Sequence, residues 1–270
     1  MKLIFGKGKV SNIIAEKSDV VLSRSECDVS SMDNIRESLD RFEPDIVVNC
    51  AAKTNLEYCQ DNKHIAYESN VCGAINLLRC SQEREIKLVH ISSGCLFDGN
   101  HSIADENTKC SPAVWYTWTK LWADEYILNS GYKNFLILRP RQLISKTPHP
   151  TNLITKFMSL DYIPAIDEPN SVTCIEDFKE MIDHLLKVGA TGIFNCSNTG
   201  AISPHEIAMG IQEILKPSLF IKKISYEKLL EILPNKRVNT LLSCNKLINT
   251  GYTPRSAREA LRWCLVNYGI

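Results

Sequence analysis

Short apolar, β-branched runs alternate with helix-like stretches through the first half of this 270-residue chain. Each run has the length of a buried strand, and each stretch between two runs has room for a helix. This alternation favours an α/β fold with a parallel, doubly wound sheet, which binds ligands at the carboxyl ends of its strands. Strands are predicted over Lys2–Phe5, Val20–Leu22, Asp45–Asn49, Lys87–Ile91 and Phe135–Arg139, and helices over Met32–Phe42, about 66–82 and about 113–128.

The first strand leads directly into the glycine turn Gly6-Lys7-Gly8, a brief helix to about Lys17 and the second strand. This is the order of elements that a Rossmann-type dinucleotide-binding loop requires. Gly6 permits a tight turn, and Gly8 lets the backbone approach a pyrophosphate. The backbone N–H groups at the start of the helix would then bind the phosphate oxygens. Ser11 stands where a third glycine is usual. A plain strand-to-helix turn is the alternative.

Arg24 lies at the end of the second strand, between two serines. An acidic residue there would accept the ribose hydroxyls of NAD, whereas arginine and serine suit the 2′-phosphate of NADP. The sequence therefore favours NADPH, with NADH and a merely solvated Arg24 as open alternatives; Asp28 is expected near the adenine. The predicted cofactor-binding residues are Gly6, Lys7, Gly8, Val10, Ser11, Arg24, Asp28, Ala51, Ala52, Lys53, Tyr116 and Lys120.

The stretch after the fourth strand carries the candidate chemistry. Tyr116 and Lys120 stand four apart on a predicted helix and so share one face, where the ammonium favours ionisation of the phenol. Ser93 follows a strand end, where its hydroxyl could stabilise an oxyanion. The three residues suit proton transfer at a carbonyl oxygen. By itself, the tyrosine–lysine pair is more often a core aromatic beside a solvated lysine. However, Gly6–Ser11, Asn49–Thr54 and Ser93 should meet at one sheet edge, which favours an enzyme.

Prolines at 148, 150, 164 and 169 break the chain into shorter pieces after Pro140. We therefore predict a dinucleotide-binding domain over residues 1–145 and a smaller C-terminal substrate lobe mainly over 146–270, from which the chain could cross back into the sheet. Its predicted elements are helices over 152–160, 175–187, 204–215 and 256–266 and a strand over 192–195.

Charge and cysteine content exclude several classes. Lysine plus arginine equal aspartate plus glutamate at 31 each, and no charge run indicates a nucleic-acid partner. No apolar run is long enough for a membrane span. Eleven scattered cysteines and six dispersed histidines fit a reduced, cytoplasmic protein without a metal site. The apolar helices around 71–78 and 115–126 could pair between two copies of the chain, so a homodimer is left open.

The chain resembles the extended short-chain dehydrogenase/reductases, and among them the dTDP-4-dehydrorhamnose reductase group. The likeness rests on Gly6-x-Gly8, Asn49-Cys-Ala-Ala-Lys-Thr54, Ser93 and Tyr116-x-x-x-Lys120. Ser92-Ser-Gly-Cys-Leu-Phe97 is similar to a stretch of the bifunctional nucleotide-rhamnose synthases, which are 3,5-epimerases and 4-keto-reductases. The C-terminal half matches that subfamily through segments at 152–156, 169–173, 192–200 and 203–207.

The resemblance implies a role for each matching residue. Tyr116 matches the proton donor, Lys120 its lysine and Ser93 the family threonine, whereas Cys95 and Lys156 match the pair assigned to epimerisation. A packed Cys95 and a diphosphate-binding Lys156 are the alternatives. The implied substrate-binding residues are Ser93, Gly94, Cys95, Asn152, Lys156, Arg237 and Asn239.

The expected function is therefore epimerisation at C3, C5 or both and NADPH-dependent 4-keto reduction of a UDP- or dTDP-linked 4-keto-6-deoxyhexose. The product would be an L-rhamnose-type nucleotide sugar, with the 2-acetamido form left open. A reductase without epimerase activity is the nearest alternative, and a non-catalytic regulatory subunit is an alternative of another class.

Overall fold

The computed structural model describes residues 1–99 and 103–270, which form two compact units. The first unit contains Met1–Leu96, Cys110–Arg139 and Gly189–Phe194. The second contains Phe97–Lys109, Pro140–Val188 and Asn195–Ile270. The units are interleaved along the chain, whereas the sequence-based division has its boundary after residue 145 and leaves open that the chain crosses back into the sheet.

Ten strands are present in the described ranges. They are β1 (Lys2–Phe5), β2 (Val20–Leu22), β3 (Ile46–Asn49), β4 (Lys87–Ile91), β5 (Phe135–Arg139), β6 (Leu143–Ile144), β7 (Tyr162–Ile166), β8 (Thr173–Cys174), β9 (Gly192–Asn195) and β10 (Phe220–Ile224).

Twelve α-helices accompany these strands in the same part of the chain. They are α1 (Lys9–Ile14), α2 (Met32–Phe42), α3 (Leu56–Asp61), α4 (Lys63–Tyr67), α5 (Gly73–Glu83), α6 (Trp115–Asn129), α7 (Leu153–Met158), α8 (Ile175–Lys187), α9 (Pro204–Ile214), α10 (Tyr226–Ile232), α11 (Asn245–Ile248) and α12 (Ala257–Val266). None of the helices within residues 1–99 and 103–270 has the length and apolar character needed to cross a membrane.

The first unit is built on a six-stranded sheet in the order β2-β1-β3-β4-β5-β9. The strand pairs from β2 to β5 are parallel, and the order reverses between β1 and β3. The predicted doubly wound α/β sheet is therefore confirmed. Leu3, Val47, Leu88 and Ile137 are fully buried on these strands, which explains why apolar runs located them so well.

The helix predicted over about 66–82 is confirmed and is part of a longer helical stretch. The structure begins a helical path at Leu56 and carries it to Glu83 through α3, α4, a π-helical segment (Glu68–Cys72) and α5. Asn55 begins this path by accepting the Tyr58 N–H at 2.7 Å. The sequence gives few apolar residues before Ala66, so periodicity alone misses α3 and α4.

The second unit encloses a core of its own. Ile144, Ile163, Ile207 and Ala260 are among its buried members, contributed by β6, β7, α9 and α12. Two short parallel pairs, β7 with β10 and β6 with β8, complete it. These four strands and helices α10 and α11 are absent from the sequence-based prediction. Strands β6 and β8 have two residues each, too few for an alternating pattern, and β7 contains a proline, which argues against a strand.

Candidate active site

The carboxyl ends of three neighbouring strands of the first unit lie beside one another. The order β1-β3-β4 places Gly6, the Asn49–Thr54 loop and Ser93 after adjacent parallel strands. The predicted meeting of these three stretches at one edge is thus confirmed. Parallel sheets bind ligands at this edge, next to the reversal of strand order.

The glycine loop has the geometry of a close backbone approach. Gly6 has a φ of +96°, and a Cβ there would lie 2.5 Å from the Cα of Ala51. Gly8 has extended backbone, and a Cβ there would meet nothing within 4 Å, so the space beside it is open. Ser11 is buried, and its hydroxyl oxygen accepts the Gly8 N–H at 2.7 Å. Lys7 is exposed in this loop, and Val10 lies in the first turn of α1.

We expect Gly6→Ala to lower the free energy of unfolding by about 2 to 4 kcal/mol, because the new methyl group adds left-handed strain and overlaps the Ala51 backbone. Gly8→Ala is the matched control and should change it by less than about 1 kcal/mol, since the position is extended and open. Urea unfolding followed by circular dichroism measures both. Equal effects of the two substitutions would contradict the proposed role of the close approach at Gly6.

The loop after β2 presents charged groups to solvent. The Nε of Arg24 donates to Asp28 Oδ2 at 3.2 Å, and the Arg24 side chain remains 62% exposed. Asp28 also accepts the N–H of Ser30, which lowers the pKa of its carboxyl. Arg24 is therefore an accessible guanidinium that could exchange its Asp28 partner for a phosphate.

The loop after β3 is held by Asn70 of the π-helical segment. Asn70 accepts the Lys53 N–H at 2.7 Å and donates to the Lys53 carbonyl at 3.0 Å. It also donates to Thr119 of α6 at 2.9 Å, so one buried amide links this loop to α6. Ala51 and Ala52 precede Lys53, and a surface pocket of about 430 Å³ is lined by Ala52, Lys53, Thr54, Asn55 and Tyr58.

Tyr116 and Lys120 lie one turn apart on α6, as predicted. Tyr116 is partly exposed, whereas Lys120 is only 1% exposed, and its ammonium donates to the Ile91 carbonyl at 2.8 Å. Burial lowers the pKa of Lys120 to about 8, against the opposing influence of the Asp124 carboxylate. The amine is therefore fixed by the strand end that also carries Ser93. This excludes the alternative of a solvated lysine.

Ser93 and Cys95 do not lie on one extended segment. Instead, Gly94–Leu96 forms a 3₁₀ turn directly after Ser93. The Ser93 hydroxyl oxygen accepts the Cys95 N–H at 3.1 Å, a bond that leaves the O–H of Ser93 able to donate. Gly94 is buried, and Cys95 is partly exposed, unlike seven other cysteines of this chain.

A buried polar chain lies beneath these residues and is missing from the sequence-based prediction. It runs from Asn49 of β3 to His90 of β4 at 3.0 Å and from His90 to Lys120 at 3.2 Å. Asp124, one turn beyond Lys120, accepts from Ser92 at 2.8 Å and from Arg139 at 3.2 Å. The sequence does contain a signal, since a histidine inside an otherwise apolar strand needs a buried partner.

The remaining predicted residues belong to the second unit. Lys156 on α7 is exposed, as suits an ammonium that binds a phosphate from solvent. This favours the alternative of diphosphate binding. Asn152 is fully buried; it caps α7 and donates to the carbonyls of Ser145 and Thr147. Both of its amide hydrogens are thus already used.

Arg237 and Asn239 occupy a segment that is fixed within the second unit. The Arg237 carbonyl accepts from Tyr226, and Asn239 donates to Glu168. Asn239 also accepts from Asn170 at 3.4 Å. Both side chains are partly exposed, so their predicted contact with substrate stays a prediction.

Similarity to known proteins extends over nearly the whole chain. Residues 8–269 match the family model described as the RmlD substrate binding domain. The bifunctional dTDP-4-dehydrorhamnose 3,5-epimerase/dTDP-4-dehydrorhamnose reductase of Arabidopsis thaliana is 27% identical over 96% of this chain and 90% of its own length.

Solved structures share the fold. The L780 UDP-rhamnose synthase of Acanthamoeba polyphaga mimivirus superposes with a TM-score of 0.86 at 24% identity, over 98% of each chain. The dTDP-4-dehydrorhamnose reductase of Bacillus anthracis, solved in complex with NADP, superposes with a TM-score of 0.87 at 23% identity. The match covers 97% of this chain and 96% of the other chain. Together with the family match over all but the chain ends, these likenesses show that the chain belongs to the RmlD substrate binding domain family.

Proposed function

We propose that this protein reduces the 4-keto group of a nucleotide-linked 4-keto-6-deoxyhexose with NADPH and also epimerises the sugar at C3, C5 or both. The observation that carries the reductase is the buried Lys120 amine, held at the end of β4 on the same helical face as Tyr116. Buried ionisable groups concentrate at functional sites, and this lysine lies at the strand end that precedes Ser93.

The glycine loop fits a dinucleotide. The open space beside Gly8, the close approach at Gly6 and the exposed Arg24 offer room for a pyrophosphate and a cation for a 2′-phosphate. Lys53, Tyr116 and Lys120 would flank the nicotinamide end. When bound, NADPH supplies the hydride that reduces the ketone carbon.

The side chains of the first unit supply the proton chemistry. The Ser93 O–H donates a hydrogen bond to the ketone oxygen and stabilises the alkoxide as it forms. Tyr116 gives that oxygen its proton, and the nearby ammonium of Lys120 makes the phenol a stronger acid. Lys120 can also donate to a ribose hydroxyl, since the Ile91 carbonyl occupies only one of its three hydrogens.

Epimerisation requires further groups, because inversion next to the ketone removes a proton from one ring face and returns it to the other. The same oxyanion stabilisation by Ser93 and Tyr116 serves the enolate. Cys95 is partly exposed two residues beyond Ser93 and can give or accept a proton. We assign Cys95 this role, with Lys156 as its counterpart or as a ligand of the diphosphate. The name of the Arabidopsis relative, which couples epimerase and reductase, supports the proposal that both activities occur in one chain.

The deciding experiment incubates the protein with NADPH in D₂O and, in separate reactions, with UDP- and dTDP-4-keto-6-deoxyglucose and the 2-acetamido analogue. NMR of the products identifies the nucleotide, the reduced centre and every position that takes up deuterium. Reduction without deuterium at C3 or C5 would refute the epimerase and leave the reductase. A protein that oxidises no NADPH but retains a protein partner would support the regulatory subunit.

Arg24→Ala should raise the KM for NADPH about tenfold or more and leave the KM for NADH nearly unchanged, because only NADPH presents a 2′-phosphate to the guanidinium. Lys17→Ala, which removes another exposed cation near β2, is the control and should affect neither constant. Initial rates at fixed substrate measure both. An equal rise of the two KM values in Arg24→Ala would refute the preference for NADPH.

A further inference from the structure

The buried chain Asn49–His90–Lys120 fixes one hydrogen-bonding pattern. The N–H of Ala51 can only donate, so the Asn49 atom that faces it at 3.0 Å is the side-chain oxygen. The Asn49 NH₂ group therefore points at His90 Nδ1, 3.0 Å away. Because that group donates, Nδ1 must accept.

A neutral imidazole carries one proton, and His90 is neutral. It is fully buried, and burial together with the nearby Lys120 holds the pKa of His90 well below its usual range. With Nδ1 accepting, the proton lies on Nε2. Nε2 lies 3.2 Å from Lys120 Nζ and 3.8 Å from Asp124 Oδ1, so only the lysine nitrogen is within hydrogen-bond distance.

We propose that His90 is a positioning residue for Lys120, locked by Asn49 as the Nε2–H tautomer so that it presents an N–H to the lysine nitrogen. An N–H aimed at Nζ repels an ammonium and stabilises an amine, whose lone pair accepts it. The arrangement therefore makes Lys120 a stronger acid than burial alone would. The proposal deepens the proposed reductase, because it names a residue that tunes the lysine beside Tyr116.

The other groups that face Lys120 set the sign of the pH dependence. Asp124 on α6 favours the ammonium, and Arg139 of β5 pairs with that carboxylate. Cys50 after β3 stays a neutral thiol near pH 8, since burial raises its pKa to about 12. The ammonium of Lys120 is present below about pH 8 and is lost as the pH rises through it. Reductase activity should therefore fall on the alkaline side of about pH 8.

His90→Phe removes the N–H and keeps a ring, whereas Asn49→Leu leaves His90 free to turn its Nε2 lone pair toward the ammonium. Both substitutions should move the alkaline limb of kcat/KM upward by about 0.5 to 1 pH unit. His184→Phe replaces a histidine that bonds Thr250 and is the matched control, expected to leave the limb in place. Thermal unfolding checks that each variant is folded. A limb that stays in place or moves downward in folded His90→Phe overturns the proposal.

An independent measurement needs no substrate. In protein labelled with ¹⁵N-histidine, two-bond ¹H–¹⁵N correlations distinguish the tautomers, and the signal lost in His90→Phe identifies His90. We expect a neutral Nε2–H ring from pH 6 to 9 in the wild type and a change of tautomer in Asn49→Leu. A wild-type Nδ1–H ring overturns the inference whatever the activity. If no 4-keto sugar is reduced but Nε2–H is found, only the proposed function fails.

Discussion

Tyr116→Phe is expected to reduce kcat for the 4-keto sugar by about 10²- to 10⁴-fold, the usual loss when a general acid is removed. Only the hydroxyl group is removed, so the packing of α6 and the loop after β3 should persist. The KM for NADPH should change little, because the contacts proposed for Gly6, Gly8 and Arg24 lie at the other end of the cofactor. Single-turnover oxidation of NADPH isolates the chemical step from product release.

Tyr126→Phe provides a matched control on the same helix. Its hydroxyl accepts from Arg79 at 2.9 Å, an exposed contact with no part in the proposed chemistry. We expect Tyr126→Phe to keep near wild-type kcat. If folded Tyr116→Phe also kept more than about a tenth of wild-type kcat, Tyr116 would not be the proton donor and the assignment of the whole site would fail.

The sequence suffices for the parts of the fold that depend on burial. β1, β2, β4, β5 and β9 have the predicted bounds, since short apolar runs identify buried and half-buried strands. The meeting of Gly6, Asn49 and Ser93 also follows from topology alone, because the carboxyl ends of neighbouring parallel strands lie side by side. The shared face of Tyr116 and Lys120 also follows from the sequence, because residues four apart lie one turn from each other once the helix is predicted.

The rest depends on contacts between residues far apart in the sequence. Asn70 and Thr119 are linked by one hydrogen bond across 49 positions, and no local pattern indicates it. Cys174 and Cys264 stand 90 positions apart without a motif, yet their sulfur atoms lie 3.5 Å apart in the second unit. The position of Cys95 depends on a buried glycine and a 3₁₀ turn after Ser93, which no periodic pattern in the sequence indicates.

Cys95 lies in this turn, and its substitution tests the proposed epimerisation. Cys95→Ala should abolish deuterium uptake at C3 and C5 from D₂O, because alanine can neither give nor accept a proton. Reduction of an already epimerised 4-keto sugar should persist within about threefold of wild type, since the Ser93 oxygen that accepts the residue 95 N–H keeps this backbone bond in the variant. NMR of the recovered sugar and oxidation of NADPH measure the two activities separately.

Cys72→Ala is the matched control, because Cys72 is also partly exposed and lies in the π-helical segment rather than beside Ser93. It should retain both activities. If Cys95→Ala loses reduction and exchange together, the turn at 94–96 serves the common oxyanion site, and Cys95 is not a separate acid or base. If exchange continues at the wild-type rate, proton transfer belongs to another residue, and Lys156→Met then tests the remaining candidate. Loss of exchange alone is the result that separates the two reactions, because only epimerisation needs a proton donor or acceptor at a ring carbon.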